Sequence, residues 1–157
     1  MPGLQPQDNR GYFMLPQAPE DAGYYVYGTP EQGAGQYAHP VMLSVLFWVE
    51  HQWQATDRRR FGIGNISMAN GPTFWPHAGH RNGLQVDVRA IRLDGKHMGV
   101  RWQHEGYDSV ATDRLVGIFR THPSVIKIYF NDTEIHGVWP MIHHDDHFHV
   151  ELRGGAA

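Results

Sequence analysis

The stretch His143-His144-Asp145-Asp146-His147-Phe148-His149-Val150-Glu151-Leu152 decides how this chain is read. From His147 onward polarity alternates residue by residue, as it does in a strand with one buried face. His147, His149 and Glu151 share one side; Phe148, Val150 and Leu152 share the other. The apolar side can pack on a core while two imidazoles point together into an opening. Neutral imidazole is the commonest protein ligand for a transition metal. Residues i and i+2 of a strand stand roughly 7 Å apart. That spacing is wide for two ligands of one ion. It suits one ligand plus a neighbour that reaches the water on that ion.

A second alternating stretch lies upstream. Leu84, Val86 and Val88 fall on one face of a predicted strand, and Gln85, Asp87 and Arg89 on the other. An aspartate amid apolar strand residues is costly unless it is paired or coordinated. The plain alternative for Asp87 is a buried salt bridge to Arg89 or Arg81. Just before this strand runs Asn70 to Gly83, with two prolines and three glycines in fourteen residues. A shaped loop of this kind carries sites when a rigid scaffold holds its ends, and it contains His77 and His80.

His80, Asp87 and His149 form a two-histidine, one-carboxylate set, which matches a catalytic zinc centre with a fourth position open for water. Zinc brings the pKa of its bound water to about 7 and polarises a carbonyl. The chemistry that follows is amide hydrolysis with that water as nucleophile. A nearby group must take the water's proton and hand one to the leaving amine. His147 is the candidate, and Asp146 is second choice.

These residues resemble the penicillin-insensitive murein endopeptidases. The likeness rests on His77-Ala78-Gly79-His80, on Asp87 seven residues after His80, and on His144-x-x-His147-x-His149. It spans about residues 60 to 152. It extends to the wider group of zinc peptidases that includes D-Ala-D-Ala carboxypeptidases and dipeptidases, built on an antiparallel sheet. The resemblance implies that His80, Asp87 and His149 bind zinc, that His147 is catalytic, and that His77 and His144 are additional site histidines. It also implies the substrate: peptide cross-links of bacterial peptidoglycan, cut at an amide flanked by D-alanine and a diamino acid. The bland reading of His77 and His144 is hydrogen bonding within their loops. Arg81 could receive a substrate carboxylate through its planar fork. Trp75, Tyr107 and Trp139, like His104, neighbour the motifs and are candidates for lining a groove. The glutamate of the carboxypeptidase relatives has no obvious match, which favours the endopeptidase branch. Two alternatives stand beside it: a D,D-carboxypeptidase or dipeptidase of the same fold, and a non-catalytic zinc-containing binding module.

Bulk properties fit this picture. At 157 residues the chain is one domain, with 41% hydrophobic and 18% charged residues and a net charge of -3. There is no basic excess to hold a phosphate backbone, so no nucleic-acid partner is expected. There are no cysteines, so neither a disulfide nor a thiolate metal site is available. Twelve histidines stand ready instead. The longest apolar run, Val41 to Val49, is too short for a membrane span. Met1 to Tyr12 has no signal-peptide pattern. Action in the periplasm or on the cell wall would then require another route or a leader supplied elsewhere. A phage lysin, an antibacterial toxin and part of a larger wall enzyme all fit, and a secreted toxin would need an immunity protein in its producer.

The remaining elements complete an α+β domain, with a mainly antiparallel sheet, flanking helices and the zinc site on the sheet face. Residues 1–38 read as an irregular arm laid over the surface, 39–153 as the peptidase domain, and 154–157 as a tail. Pro40 opens a helix to about Thr56. Phe61 to Ser67 reads as a strand. A bulge or break is expected near Ala90, and Asp94-Gly95 as a hairpin turn returning through Met98, Val100 and Trp102. Thr112 caps a helix that Pro123 stops. Val125 to Phe130 reads as a strand with Ile126, Ile128 and Phe130 on one face.

Overall fold

The computed structural model describes residues 5–154. Residues 1–4 of the expected arm and 155–157 of the expected tail lie outside the described residues. The elements in chain order are β1 (Phe13–Met14), β2 (Tyr24–Val26), β3 (Tyr37–Ala38), α1 (Pro40–Gln54), β4 (Phe61–Ile63), β5 (Gln85–Arg89), α2 (Ser109–Thr121), β6 (Val125–Tyr129) and β7 (His147–Leu152). The chain is α+β. Five strands form a sheet in the order β2-β4-β5-β7-β6, and β1 and β3 make a separate two-stranded ribbon. Within the larger sheet only β2 and β4 run parallel; the other pairs are antiparallel.

Alternation gives the sheet two unlike faces. Phe61 and Ile63 of β4, Val86 and Val88 of β5, Ile128 of β6, and Phe148, Val150 and Leu152 of β7 are all buried. They meet Met42, Val45, Leu46, Val49 and Trp53 of α1 and Leu115, Val116 and Phe119 of α2. Phe119 sits edge-on to both Phe61 and Phe148, with ring centroids 6.5 and 5.7 Å away. Such aromatic pairs add to the area they bury. The opposite face, free of both helices, carries Asp87, His147 and His149. No described helix is long and apolar enough to cross a membrane.

Several expectations are corrected. Part of the N-terminal segment joins the fold: β2 pairs with β4, and Leu15, Tyr24 and Ala38 are buried in the core. Tyr25 and Tyr27 of that segment reach across β4 on the site face. A β-carbon on Gly62 or Gly64 would run into their rings, at 2.7 and 2.5 Å. These two glycines therefore leave room for a neighbouring strand's aromatics, and apolar periodicity alone does not reveal β2.

Asp94-Gly95 does turn the chain, with Gly95 at φ +69° and Lys96 N–H donating to Asp94 Oδ1 at 2.9 Å. No hairpin follows. The backbone of residues 145 and 146 takes the available bonds instead, accepting from Trp102 N–H and Ala90 N–H. Thr112 is not a cap. Asp108 caps α2 by accepting Ala111 N–H at 2.9 Å, and Thr112 lies inside the helix, buried, with Oγ1 accepting Ile91 N–H at 3.0 Å. In β6 the register slips between Val125 and Lys127. Ile126 is the extra residue and is turned outward, 54% exposed.

Candidate metal centre

The site starts from one pairing. In the ladder between β5 and β7, Asp87 faces His149, Arg89 faces His147 and Gln85 faces Glu151. Directly opposed residues point to the same side of a sheet. The parity that buries Val86, Val88, Phe148 and Val150 therefore turns Asp87 and His149 together to the other face. Asp87 Oδ1 lies 3.1 Å from His149 Nδ1.

His80 comes from the preceding loop. Its backbone has φ +61°, and its N–H donates to Gln85 Oε1 at 2.8 Å. Gly79 makes room for that bond, since a β-carbon there would collide with the Gln85 side chain. The His80 ring is turned so that Nε2 lies 3.3 Å from the same Asp87 Oδ1.

The outer nitrogen of His80 settles what that ring turns inward. His80 Nδ1 lies 3.0 Å from the carbonyl oxygen of Ile66, which can only accept, so this nitrogen carries the proton. Its Nε2 lone pair then points at Asp87. His149 Nε2 lies 3.3 Å from Glu151 Oε1. Its Nδ1 is hydrogen-bonded to Asp87 Oδ1, and since an ionised carboxylate only accepts, Nδ1 donates; a metal there would displace that proton. A His80 lone pair, the His149 Nδ1–H and a carboxylate oxygen thus converge in a site where Asp87, His80 and His149 are 6%, 3% and 8% exposed. Such a convergence is unfavourable without a cation or proton at its centre. Outer partners that fix the tautomer and aim a histidine are the ordinary companions of a metal ligand.

Burial opposes ionisation of Asp87, but the hydrogen bond from His149 and the neighbouring His80 and His147 imidazoles outweigh it. They hold its carboxyl far below the usual range. The salt bridge to Arg89 or Arg81 does not form. Arg89 stacks over the Tyr27 ring at 3.9 Å, and the exposed Arg81 donates to Gly71 O at 3.2 Å.

The other histidines surround this core. His147 Nδ1 bonds Asp146 Oδ1 at 2.7 Å, and its Nε2 lies 3.9 Å from Asp87 Oδ1. Burial acts against the charged ring, but the bond to Asp146 and the charges of Asp87 and Asp146 prevail, raising its pKa. Asp146 is lowered, chiefly by the same bond. His144 is tied by Nδ1 to Ile142 O at 2.8 Å, and its ring centroid lies 4.8 Å from that of His147. His77 lies against His80 with ring centroids 4.4 Å apart. Its Nδ1 is 4.0 Å from Asp87 Oδ2.

Among the described residues, two triads sharing Asp87 can gather around an ion: His77, His80 and Asp87, and Asp87, His144 and His147. His149 belongs to neither triad, although it lies closest to Asp87. The cluster as a whole is able to hold a metal ion.

The groove candidates divide. Tyr107 is spent elsewhere, donating to the buried Asp132 at 2.6 Å. Burial and that carboxylate raise its hydroxyl's pKa. His104 accepts Gly106 N–H in a turn. Trp75 and Trp139 are 86% and 60% exposed on the loops that lead to His77 and to His144. Lys127 Nζ lies 5.3 Å from the Trp139 ring and 5.0 Å from the Tyr129 ring. Beside Asp146 opens a cavity of about 410 Å³ lined by Arg101, Asn131, Ile142, His143, Asp145 and Asp146.

Sequence reasoning left out Asn65, Gln85 and Tyr129. Gln85 shares the parity of Asp87 and was within reach of the strand argument. Tyr129 opposes His149 from β6, which only the strand order reveals. No family model matches the chain, and comparison with curated proteins finds no relative.

Proposed function

We propose that this chain is a zinc-dependent peptidase that hydrolyses an amide in the cross-link peptides of peptidoglycan, acting in the periplasm or on the cell wall. One observation carries the hydrolase reading. His80 Nε2 and His149 Nδ1 both point at Asp87 Oδ1, at 3.3 and 3.1 Å, with their outer nitrogens already engaged. Two imidazoles and one carboxylate are a donor set that zinc takes while leaving a position open. When bound there, zinc supplies Lewis acidity toward a carbonyl and lowers the pKa of water to about 7.

The chain's own residues do the rest. His147 Nε2 faces the Asp87 side of the cluster and takes a proton from the attacking water. It then gives one to the departing amine nitrogen, as a general base and acid in turn. Asp146 holds the opposite edge of that ring, fixing the tautomer that leaves Nε2 free to accept. Trp75 and Trp139, exposed on the loops that lead to His77 and to His144, offer apolar surface to a peptide. The lack of an obvious match to the carboxypeptidases' glutamate favours an internal bond over a chain end. The choice of peptidoglycan rests on the likeness of the His77-to-Asp87 and His144-to-His149 segments to murein endopeptidases.

The test is incubation of the zinc-loaded protein with purified cross-linked muropeptides, followed by mass spectrometry. Cleavage of dimers to monomers supports the endopeptidase. Release of terminal D-alanine alone moves the assignment to a carboxypeptidase. No release by the wild type from any wall tested favours a non-catalytic zinc module.

A further inference from the structure

His77 is the one ring of the cluster whose outer nitrogen meets a side-chain amide. Asn65 Nδ2 lies 2.8 Å from His77 Nε2. The amide cannot be turned round, because Asn65 Oδ1 accepts the backbone N–H of Thr29 at 2.7 Å. Reversal would set an NH2 group against that N–H. The Asn65 amide is buried and held further by Thr29 Oγ1 at 3.2 Å and by its own backbone carbonyl, which accepts Asp87 N–H at 3.1 Å.

A fixed NH2 donor requires an acceptor, so His77 Nε2 presents its lone pair to Asn65. The proton of the neutral ring then sits on Nδ1, which faces the cluster 4.0 Å from Asp87 Oδ2. A protonated ring nitrogen cannot ligate a metal. Were Nδ1 to bind the ion, Nε2 would carry a proton and oppose the Asn65 donor at 2.8 Å. The triad of His77, His80 and Asp87 is therefore close in space but wrong in protonation.

We infer that His77 is a neutral hydrogen-bond donor aimed into the cleft, held off the metal by Asn65 and Thr29, and that its Nδ1–H receives the carbonyl oxygen of the scissile amide. The substrate half of this inference rests on the peptidase reading. The oxygen gains negative charge as water adds to the carbonyl carbon, and a preorganised donor is worth most at that moment. No proton is transferred. The ring is 22% exposed on its side chain, so a substrate can reach it. The assignment also gives the N-terminal segment a place in the chemistry, since Thr29 sets the amide that sets the ring.

The experiment is long-range proton–nitrogen NMR of the zinc-loaded, nitrogen-15-labelled protein, paired with steady-state kinetics. The expected spectrum shows a protonated-type Nδ1 and a lone-pair-type Nε2 for His77, at one zinc per chain. A metal-shifted Nδ1 with a protonated Nε2 overturns the inference without any mutation. Asn65→Asp replaces the amide donor by an acceptor of the same shape, so the tautomer is expected to invert while zinc stoichiometry stays at one. With Nδ1 stripped of its proton, kcat should fall about 100-fold or more with KM little changed, and His77→Gln should retain more activity than His77→Leu. An inverted tautomer with unchanged kcat overturns the donor role. An inactive wild type sinks the peptidase reading and the substrate role together, while the tautomer measurement, made without substrate, still decides whether His77 stays off the metal.

Discussion

Asp87 Oδ1 stands 3.1 Å from His149 Nδ1 because β5 and β7 place the two residues directly opposite one another. Neither side chain has to search for the other. Removing the carboxylate should therefore abolish high-affinity metal binding without loosening the strands. Asp87→Ala is expected to lose zinc affinity by more than the roughly 10–100-fold that deletion of an outer partner costs. Glu151→Ala, which deletes the outer partner of His149, should fall within that range. Competition with a chromophoric chelator measures both.

The same convergence links metal to stability. The ligand atoms are gathered under burial only in the folded chain, so an ion held there would bind it far better than the unfolded chain. At a free zinc concentration 100 times the dissociation constant, mass action adds about 2.7 kcal/mol. A chelator should lower the thermal midpoint of the wild type markedly and leave that of Asp87→Ala unmoved. Equal shifts in both would show that no ion is held there.

Catalysis and metal binding should separate at His147. His147→Ala is expected to keep its zinc and lose about 10²–10⁴-fold in turnover. Asp146→Asn should also keep zinc and lose activity, because an amide in place of the carboxylate favours the wrong tautomer of His147. Release of muropeptide monomers, measured beside metal content, checks the pair. Loss of zinc from either variant would place His147 among the ligands.

Gly64→Ala tests the packing of β2 on the site face. The added carbon would come within 2.5 Å of the Tyr27 ring. Overpacking of this sort costs about 1–3 kcal/mol, readable as a lower urea midpoint. A neutral result would mean that Tyr27 lies elsewhere.

Acid should find a separate weakness at Asp57. Its burial favours the neutral acid, but Arg59 and Arg114 outweigh that and lower its pKa. Arg59 Nη2 and Arg114 Nη2 lie 2.7 and 2.5 Å from Asp57 Oδ2. A carboxyl lowered on folding stabilises the fold above its unfolded pKa, and that contribution drains away as pH drops through the folded value. The urea midpoint of Asp57→Asn should thus lie below that of wild type at pH 7, with the gap closing as pH falls below about 4. A gap that persists to low pH would deny the charge its part.

The strand from His147 to Leu152 was readable because its two faces differ so sharply in polarity, and Asp87 betrayed itself as a carboxylate among valines. What sequence could not supply was adjacency. Nothing in the order of residues says that β5 lies beside β7, or that Asn65 reaches His77. Tyr24 to Val26 gave no alternation because Tyr25 and Tyr27 cover glycines and do not face water. Thr112 looks like a cap because Asp108 precedes Leu115, where the large apolar positions begin, by about two turns. Ile126 broke its own pattern through a bulge that only its neighbour β7 defines.

The unlike faces of the sheet have an evolutionary consequence. Val86, Val88, Phe148 and Val150 anchor the very backbone that carries Asp87 and His149, so the pincers inherit the stiffness of the interior. The Trp75 and Trp139 loops have no such obligation. They are free to drift in length and composition while the histidine–aspartate cluster stays put.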